Sequence, residues 1–340
     1  MEIKKLDQQS IARWDQFVEN CPEATFFHKA GWKEVIERAF GHTIHFLYAE
    51  EKGEICGVLP LGHVKSFLFG NALISSPFCV YGGIAANSEE ARAALDEAAC
   101  TLARELGVDY LEMRNRKEHK AERPRKALYV TFRKLLDPDP DVNLQAIPRK
   151  QRAVVRKGIK SGMVSVIDHD VERFYQAYGE SVRNLGTPVF SKRYFKTIME
   201  VFSDCCEVQT IEFEGKLVAS VMSFYFRDEV LPYYGGGTSE ARSLKGNDFM
   251  YWELMRRATE KGVKVFDYGR SKEGTGSYRF KKHWGFEPEP LHYEFELVNA
   301  TEMPDINPMN PKYKIFIELW QKLPLPISMM IGPWISKNLG

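Results

Sequence analysis

Two rhythms of apolar residues run along this chain. Period-two runs bounded by turn residues predict strands, and period-3.6 runs closed by glycine predict helices. The stretch HTIHFLYAEEKGEICGVLPLGHV, residues 42–64, reads as a hairpin turned at Lys52-Gly53. A second stretch, CEVQTIEFEGKLVASVMSFYFRDEVLPYYGGG, residues 206–237, turns at Glu214-Gly215 and again near Asp228. Amphipathic helices are predicted ahead of each, around 10–18 and 31–39 in the first half and around 171–185 and 191–202 in the second.

The same punctuation then occurs twice. CVYGGIAANSEEARAALDEAACTLARELGVDYLEMRNR, from Cys79, and PYYGGGTSEARSLKGNDFMYWELMRRATEKGVKVFDYGRS, from Pro232, each read as a strand ending in Tyr-Gly-Gly, a polar loop, a helix stopped by glycine, and a strand carrying Asp-Tyr. The first helix places Ala91, Ala94, Leu95, Ala98, Leu102 and Leu106 on one face, with Asn87 or Ser88 as cap and Gly107 at the stop. The second has Asn247 as its expected cap, Met250, Leu254 and Ala258 on its apolar face, and Gly262 at the stop. The expected fold class is α/β, with two similar lobes, each a mixed, mainly antiparallel sheet flanked by helices. The prolines and aspartates of LLDPDPDVNLQAIP, residues 135–148, mark the boundary. The expected domains are residues 1–140, residues 141–300 carrying the active site, and a tail over 301–340 with an amphipathic helix.

Composition narrows the partners. Among 340 residues, 47 are basic and 46 acidic, so any polyanion must be held by a local cluster and not by overall charge. The six cysteines show no CxxC or metal spacing and read as free thiols of a reducing compartment. The amino terminus lacks a signal-peptide core, and no apolar run approaches the roughly 20 residues a spanning helix needs. A soluble, cytoplasmic protein is expected. Neither GxGxxG nor a P-loop is present, no histidine spacing indicates a metal, and no GxSxG elbow supports a serine hydrolase.

Three clusters could carry chemistry. IPRKQRAVVRKGIKSGM, residues 147–163, has six basic residues and no acid. Helical spacing puts Arg149, Arg152 and Arg156 on one face, which suits an anionic ligand; a solvated basic helix is the plain alternative. VKVFDYGRSKEGTGSYRFKKHWGFEP, residues 263–288, sends a core strand into a glycine-rich turn followed by cations and rings. Backbone amides and Lys281 or Lys282 there suit a phosphate or a developing oxyanion, while Tyr278, Phe280, Trp284 and Phe286 also suit plain packing. RNRKEHKAERPRKAL, residues 114–128, could grip a long anion or tRNA, against the reading of an ordinary exposed loop.

PRKQRAVVRKGIKSG, GTPVFSKRYF at residues 186–195, and DYG followed by YRFKKHWGFEP together resemble the FemAB-like branch of the GNAT acyltransferase superfamily. More narrowly, they resemble FemAB-related proteins associated with bacterial exosortase and exopolysaccharide systems. The resemblance implies two tandem GNAT-like lobes and an N-acyltransferase that moves an activated acyl or aminoacyl group to an amine of a cell-envelope or exopolysaccharide-related acceptor. A non-catalytic binding or scaffold protein that kept the fold is the alternative. The family's Phe-Lys pair matches Phe280-Lys281, which implies that Lys281 stabilises the oxyanion or a donor phosphate, with Arg270 and Tyr278 as further catalytic candidates. Arg149, Arg152, Arg156, Asp267, Tyr234, Lys282 and Trp284 are the implied substrate-binding residues.

No tightly bound cofactor is expected; the co-substrate is acyl-CoA or aminoacyl-tRNA. The turn RSLKGN, residues 242–247, stands where CoA-dependent relatives carry a glycine-rich pyrophosphate loop, so Lys245, Gly246 and Asn247 are the candidate donor-binding residues. The glutamates at the first lobe's matching helix, Glu89 and Glu90, disfavour a phosphate there. The expected partners are an anionic or glycan-linked acceptor and tRNA. At the carboxyl end, Ile315, Phe316, Leu319, Trp320 and Leu323 share a helical face and ISMMIGPWI is apolar again, which reads as core packing or as peripheral contact with the inner face of a membrane.

Overall fold

Hairpins build both sheets, and their turns explain the register. Glu51 pairs with Glu54, Phe213 with Lys216, and Phe226 with Glu229, leaving two-residue loops at Lys52-Gly53, Glu214-Gly215 and Arg227-Asp228. The first residue of each loop has positive φ, the twist that tight hairpins require. The computed structural model describes residues 1–66, 70–304 and 311–339. The chain forms two compact units: residues 1–129 with 290–305 and 337–340, and residues 130–289 with 306–336.

The first unit holds β1 (Glu2–Lys5), α1 (Ile11–Asn20), α2 (Gly31–Phe40), β2 (Thr43–Glu51), β3 (Glu54–Ser66), β4 (Gly70–Ser75), β5 (Ala85–Ala86), α3 (Glu89–Glu105), β6 (Tyr110–Asn115), β7 (Arg125–Lys126) and β16 (His292–Leu297). Its sheet runs β1-β2-β3-β4-β6-β16-β7, with β5 on β3, and only β4 and β6 are parallel, joined through α3. The second unit holds β8 (Tyr129–Leu135), α4 (Pro140–Ala146), α5 (Arg149–Ile159), β9 (Val164–Asp168), α6 (Glu172–Asn184), α7 (Lys192–Val201), β10 (Cys206–Phe213), β11 (Lys216–Phe226), β12 (Glu229–Gly237), α8 (Ala241–Leu244), α9 (Gly246–Glu260), β13 (Val265–Asp267), β14 (Ser271–Lys272), α10 (Gly276–His283), β15 (Pro288–Pro290), α11 (Pro311–Gln321) and α12 (Leu325–Ser336). Its sheet runs β14-β8-β13-β12-β11-β10-β9, with β15 on β8 and a parallel pair, β12 and β13, joined through α9.

The sheets are two copies of one plan: β1-β2-β3-β4-β6-β16 matches β9-β10-β11-β12-β13-β8. The last strand of each copy is exchanged in sequence. β8 precedes all other strands of its sheet, whereas β16 follows every strand of that second sheet, so the units are cut at 129/130 and 289/290 and not at residues 140 and 300. A single-pass reading of the sequence has no access to such an exchange, because a strand's pattern does not name its partner. The boundary segment itself contains α4, capped by Asp139, whose side chain accepts the Asp141 N–H.

Four local expectations change. In the second unit Tyr234-Gly235-Gly236-Gly237 ends strand β12, but in the first Tyr81-Gly82-Gly83 lies in an excursion between β4 and β5. The excursion is stitched from within: the amides of Gly82 and Gly83 donate to the carbonyl of Arg114. Helix α9 begins at Gly246, with Lys245 left-handed before it, so Asn247 is inside the helix and not its cap. The stretch after Thr275 is the helix α10, capped by the Thr275 hydroxyl, and not a loop. The face of α3 is turned as well: it buries Arg92 and Asp96 beside Ala91, Leu95 and Ala99.

The basic stretch 114–128 is an internal electrostatic brace. Arg114 pairs with Glu112 at 2.8 Å, Lys120 and Arg123 share Asp96, Arg123 also meets Glu296, and Arg125 meets Glu118. These four cations are occupied at home.

Candidate functional site

In the second unit, β12 and β13 pair only at Glu229 with Val265 and Val230 with Phe266. Beyond that point β12 passes a bulge, between Met222 and Ser223 of its other neighbour, and continues to Gly237. β13 ends at Asp267, so β12 runs on without it. The chain after β13 turns through Gly269, which is left-handed with φ +68°.

Lys281 of α10 fastens this turn from inside. Its side-chain nitrogen donates to the carbonyls of Gly269 at 2.9 Å and Arg270 at 3.0 Å, and the residue is 8 % exposed. The cation stands 5.6 Å from the ring centre of Phe132 and 5.9 Å from that of Tyr268. Burial lowers its pKa to about 7; the Asp267 carboxylate works in the opposite direction, and the Arg270 guanidinium adds to the lowering. Asp267 is held in turn by the Gly269 amide at 2.7 Å, Arg133 at 3.2 Å and Thr131 at 3.4 Å, while Arg133 also binds Glu229. Tyr278 lies half-buried with its ring edge-on to Phe132 at 5.4 Å. Lys281, Arg270, Tyr278 and Asp267 are therefore brought together.

The other candidates lie elsewhere. Lys282, the next residue on α10, turns away to Glu287 at 2.5 Å. Trp284 is fully buried in the core with Phe266, Tyr268 and Phe286, so it offers no surface to a substrate. Tyr234 is buried among Tyr178, Tyr194 and Phe195, and its hydroxyl bonds that of Tyr194 at 2.8 Å. Alternation along a strand turned this ring inward, a fact that the sequence could not separate from a pocket lining.

Arg149, Arg152 and Arg156 do share one face of α5, where with Ala153, Lys157 and Lys160 they line an open hollow. Neither Lys281 nor Lys282 lines it, so this hollow does not join the cations of α5 to those of α10. Helix α5 buries Val155 and Gly158 and leaves the basic face outward. Arg152 is engaged by the Gln145 carbonyl at 2.5 Å and side chain at 2.8 Å. Among the described residues, Arg149, Arg156, Lys157 and Lys160 form no ion pair.

At the start of α9 the geometry is poorly suited to a pyrophosphate. A Cβ on Gly246 would collide with Val218 Cγ1, so that glycine serves close packing against β11. The Lys245 ammonium folds back onto the Arg242 carbonyl at 3.1 Å. Asp248 already places a carboxyl in the first turn, where it accepts from Gln151 and burial raises its pKa. The side-chain oxygen of Asn247 is buried without a partner. Sequence reading missed Asp248, Arg133 and Thr131. An acid in a first helical turn looks like ordinary capping, and β8 lies some 130 residues ahead of the aspartate it holds.

Residues 145–282 match the family model described as an acetyltransferase (GNAT) domain. The lipid II:glycine glycyltransferase of Staphylococcus epidermidis is 27% identical over 110 residues, which is 30% of this chain and 26% of that protein. The match thus spans about a quarter of that relative's length. Across 93% of this chain and 100% of the other, the fold superposes on the crystal structure of FemX with a TM-score of 0.70 at 15% identity. A tandem GNAT protein of clavulanic acid biosynthesis gives a TM-score of 0.53 at 14% identity, over 88% of this chain and 99% of that one. The fold is that of a tandem-GNAT protein, with two mixed sheets on one plan. Within that class the fold resembles that of FemX.

Proposed function

We propose that the chain is an N-acyltransferase moving an activated acyl or aminoacyl group to an amine on a cell-envelope or exopolysaccharide-related acceptor. The observation that carries this reading is Lys281, an amine kept inside the second unit with two backbone carbonyls as its partners and a pKa near 7. Burying an ammonium is costly, and a scaffold protein would have little reason to retain one beside a distorted strand pair.

In the reaction, the acceptor's neutral amine attacks the acyl carbonyl carbon. A C–N bond forms and the carbonyl oxygen takes up negative charge. That charge returns to expel the ester oxygen or thioester sulfur, which leaves with a proton given up by the nitrogen. Two N–H bonds of Lys281 are committed to Gly269 and Arg270, which leaves one for the developing oxyanion. The approach of that anion raises the amine's pKa and favours its charged form.

Aminoacyl-tRNA is the favoured donor over acyl-CoA. Four cations on and just after α5 without ion pairs among the described residues suit a polyphosphate backbone, whereas Asp248 and the folded-back Lys245 disfavour a pyrophosphate at α9. A glycan-linked acceptor accords with the staphylococcal relative, a lipid II:glycine glycyltransferase. Lys281→Met tests the reading: transfer should fall about 100- to 1,000-fold with folding retained. Unchanged turnover would remove Lys281 from the chemistry.

A further inference from the structure

Helix α12 is packed with its small face inward. Ser328, Gly332 and Ser336 recur every fourth residue and are buried. A Cβ on Gly332 would stand 2.9 Å from the Val189 amide nitrogen, and the Ser336 hydroxyl donates to the Val189 carbonyl at 3.0 Å. The large side chains at Ile327, Met330 and Trp334 point outward, with Met330 66 % and Trp334 72 % exposed. A helix stabilised only by its own domain buries the opposite face.

Helix α11 repeats the arrangement. Trp320 is buried and Ile317 lies against Gly186, yet Ile315, Phe316 and Leu319 are exposed. The turn between the helices is tied to α6, since Arg183 donates to the carbonyls of Gln321 and Leu323 and Gln321 donates to that of Asn184. The outward faces are thus held in place by the second unit. Lys314 and Lys322 are exposed at the rim of the α11 stripe, and residues 311–336 carry three lysines against one glutamate.

We infer that the outer faces of α11 and α12 dock on an anionic lipid surface, the apolar stripes entering the headgroup boundary and the lysines meeting the headgroups. An exposed tryptophan with flanking lysines is the composition such an interface favours. The centre of the α12 stripe, Ile327 and Met330, carries no polar group with which a protein partner could fix an orientation. Among the described residues no helix is long and apolar enough to cross a membrane. This inference does not depend on the transferase reading.

The test uses the full chain with vesicles of phosphatidylcholine, alone or mixed with phosphatidylglycerol. It should sediment with the mixed vesicles at low salt and be released as salt rises. The variant Ile327→Ser/Met330→Ser/Trp334→Ser should bind at least about tenfold more weakly, with an unchanged near-ultraviolet circular dichroism spectrum. Of six tryptophans only Trp334 is exposed, so brominated lipids should quench the unaltered protein's emission in part. Quenching decides the matter alone if the variant does not fold. Absent sedimentation, equal binding of the variant, or a dimer abolished in the variant without any vesicle binding would each overturn the proposal. Lys281→Met should bind vesicles normally, which separates this outcome from failure of the transferase reading.

Discussion

The Lys281 side chain donates to the Gly269 carbonyl at 2.9 Å, and the Gly269 amide donates to Asp267 at 2.7 Å. One peptide turn therefore links the buried cation to the buried anion that keeps it partly charged. Substitution at either end should be felt at the other.

That link sets a pH dependence. If charged Lys281 is the working form, kcat/KM for the donor at saturating acceptor should fall as pH rises through about 7. Asp267 pulls the lysine's pKa upward, so Asp267→Asn should move the falling limb to lower pH. An unmoved limb would mean that another group titrates.

Stability should carry the same signature with a defined sign. Lys281 titrates near 7 in the folded chain and near its ordinary 10.5 when unfolded. Between these values the unfolded state binds the extra proton, so this residue makes the fold more stable as pH rises from 7 towards 10.5 and less stable as pH falls towards 7. The full span is on the order of 5 kcal/mol. Denaturant titrations of the unaltered chain and Lys281→Met should diverge over that window, and parallel curves would contradict the burial argument.

The α5 face should show itself through salt. Uncharged tRNA should bind with an affinity that drops steeply as salt rises. The triple variant Arg149→Ser/Arg156→Ser/Lys157→Ser should lower the log–log slope by about one for each phosphate no longer neutralised. Filter binding at several salt concentrations measures it, and an unchanged slope would assign the face to solvent.

Gly236→Ala probes the end of β12. Its Cβ would lie 2.6 Å from Ser181 Cβ and 2.9 Å from the Ala177 carbonyl oxygen, so α6 must move. A loss of about 1–3 kcal/mol is expected, read as a lower midpoint in thermal or denaturant unfolding. A neutral result would show that α6 yields more easily than its packing indicates.

Much of this molecule could be read from residue order. The hairpin turns, four helices ahead of them and the two strand–helix–strand units rest on local periodicity and turn chemistry, which act over a few residues. The grouping of Arg149, Arg152 and Arg156 on one face followed from helical spacing alone. The same local rules failed at Trp284 and Tyr234, since a ring lining a pocket and a ring filling a core leave the same trace in sequence.

What the sequence by itself determined is the inventory: which segments are strands and helices, that the plan occurs twice, and that Lys281 and a basic helix stand in the second copy. Tertiary structure alone decided that β8 and β16 are exchanged between sheets, that Arg133 and Thr131 hold Asp267, and that Lys281 points inward while Lys282 does not. It also decided that α12 buries its serines and glycine and exposes its tryptophan. The physical reason is range. Dihedral preferences and periodicity are set by neighbours, whereas burial, pKa and partner choice depend on groups brought together from more than a hundred residues away, and no local pattern records them.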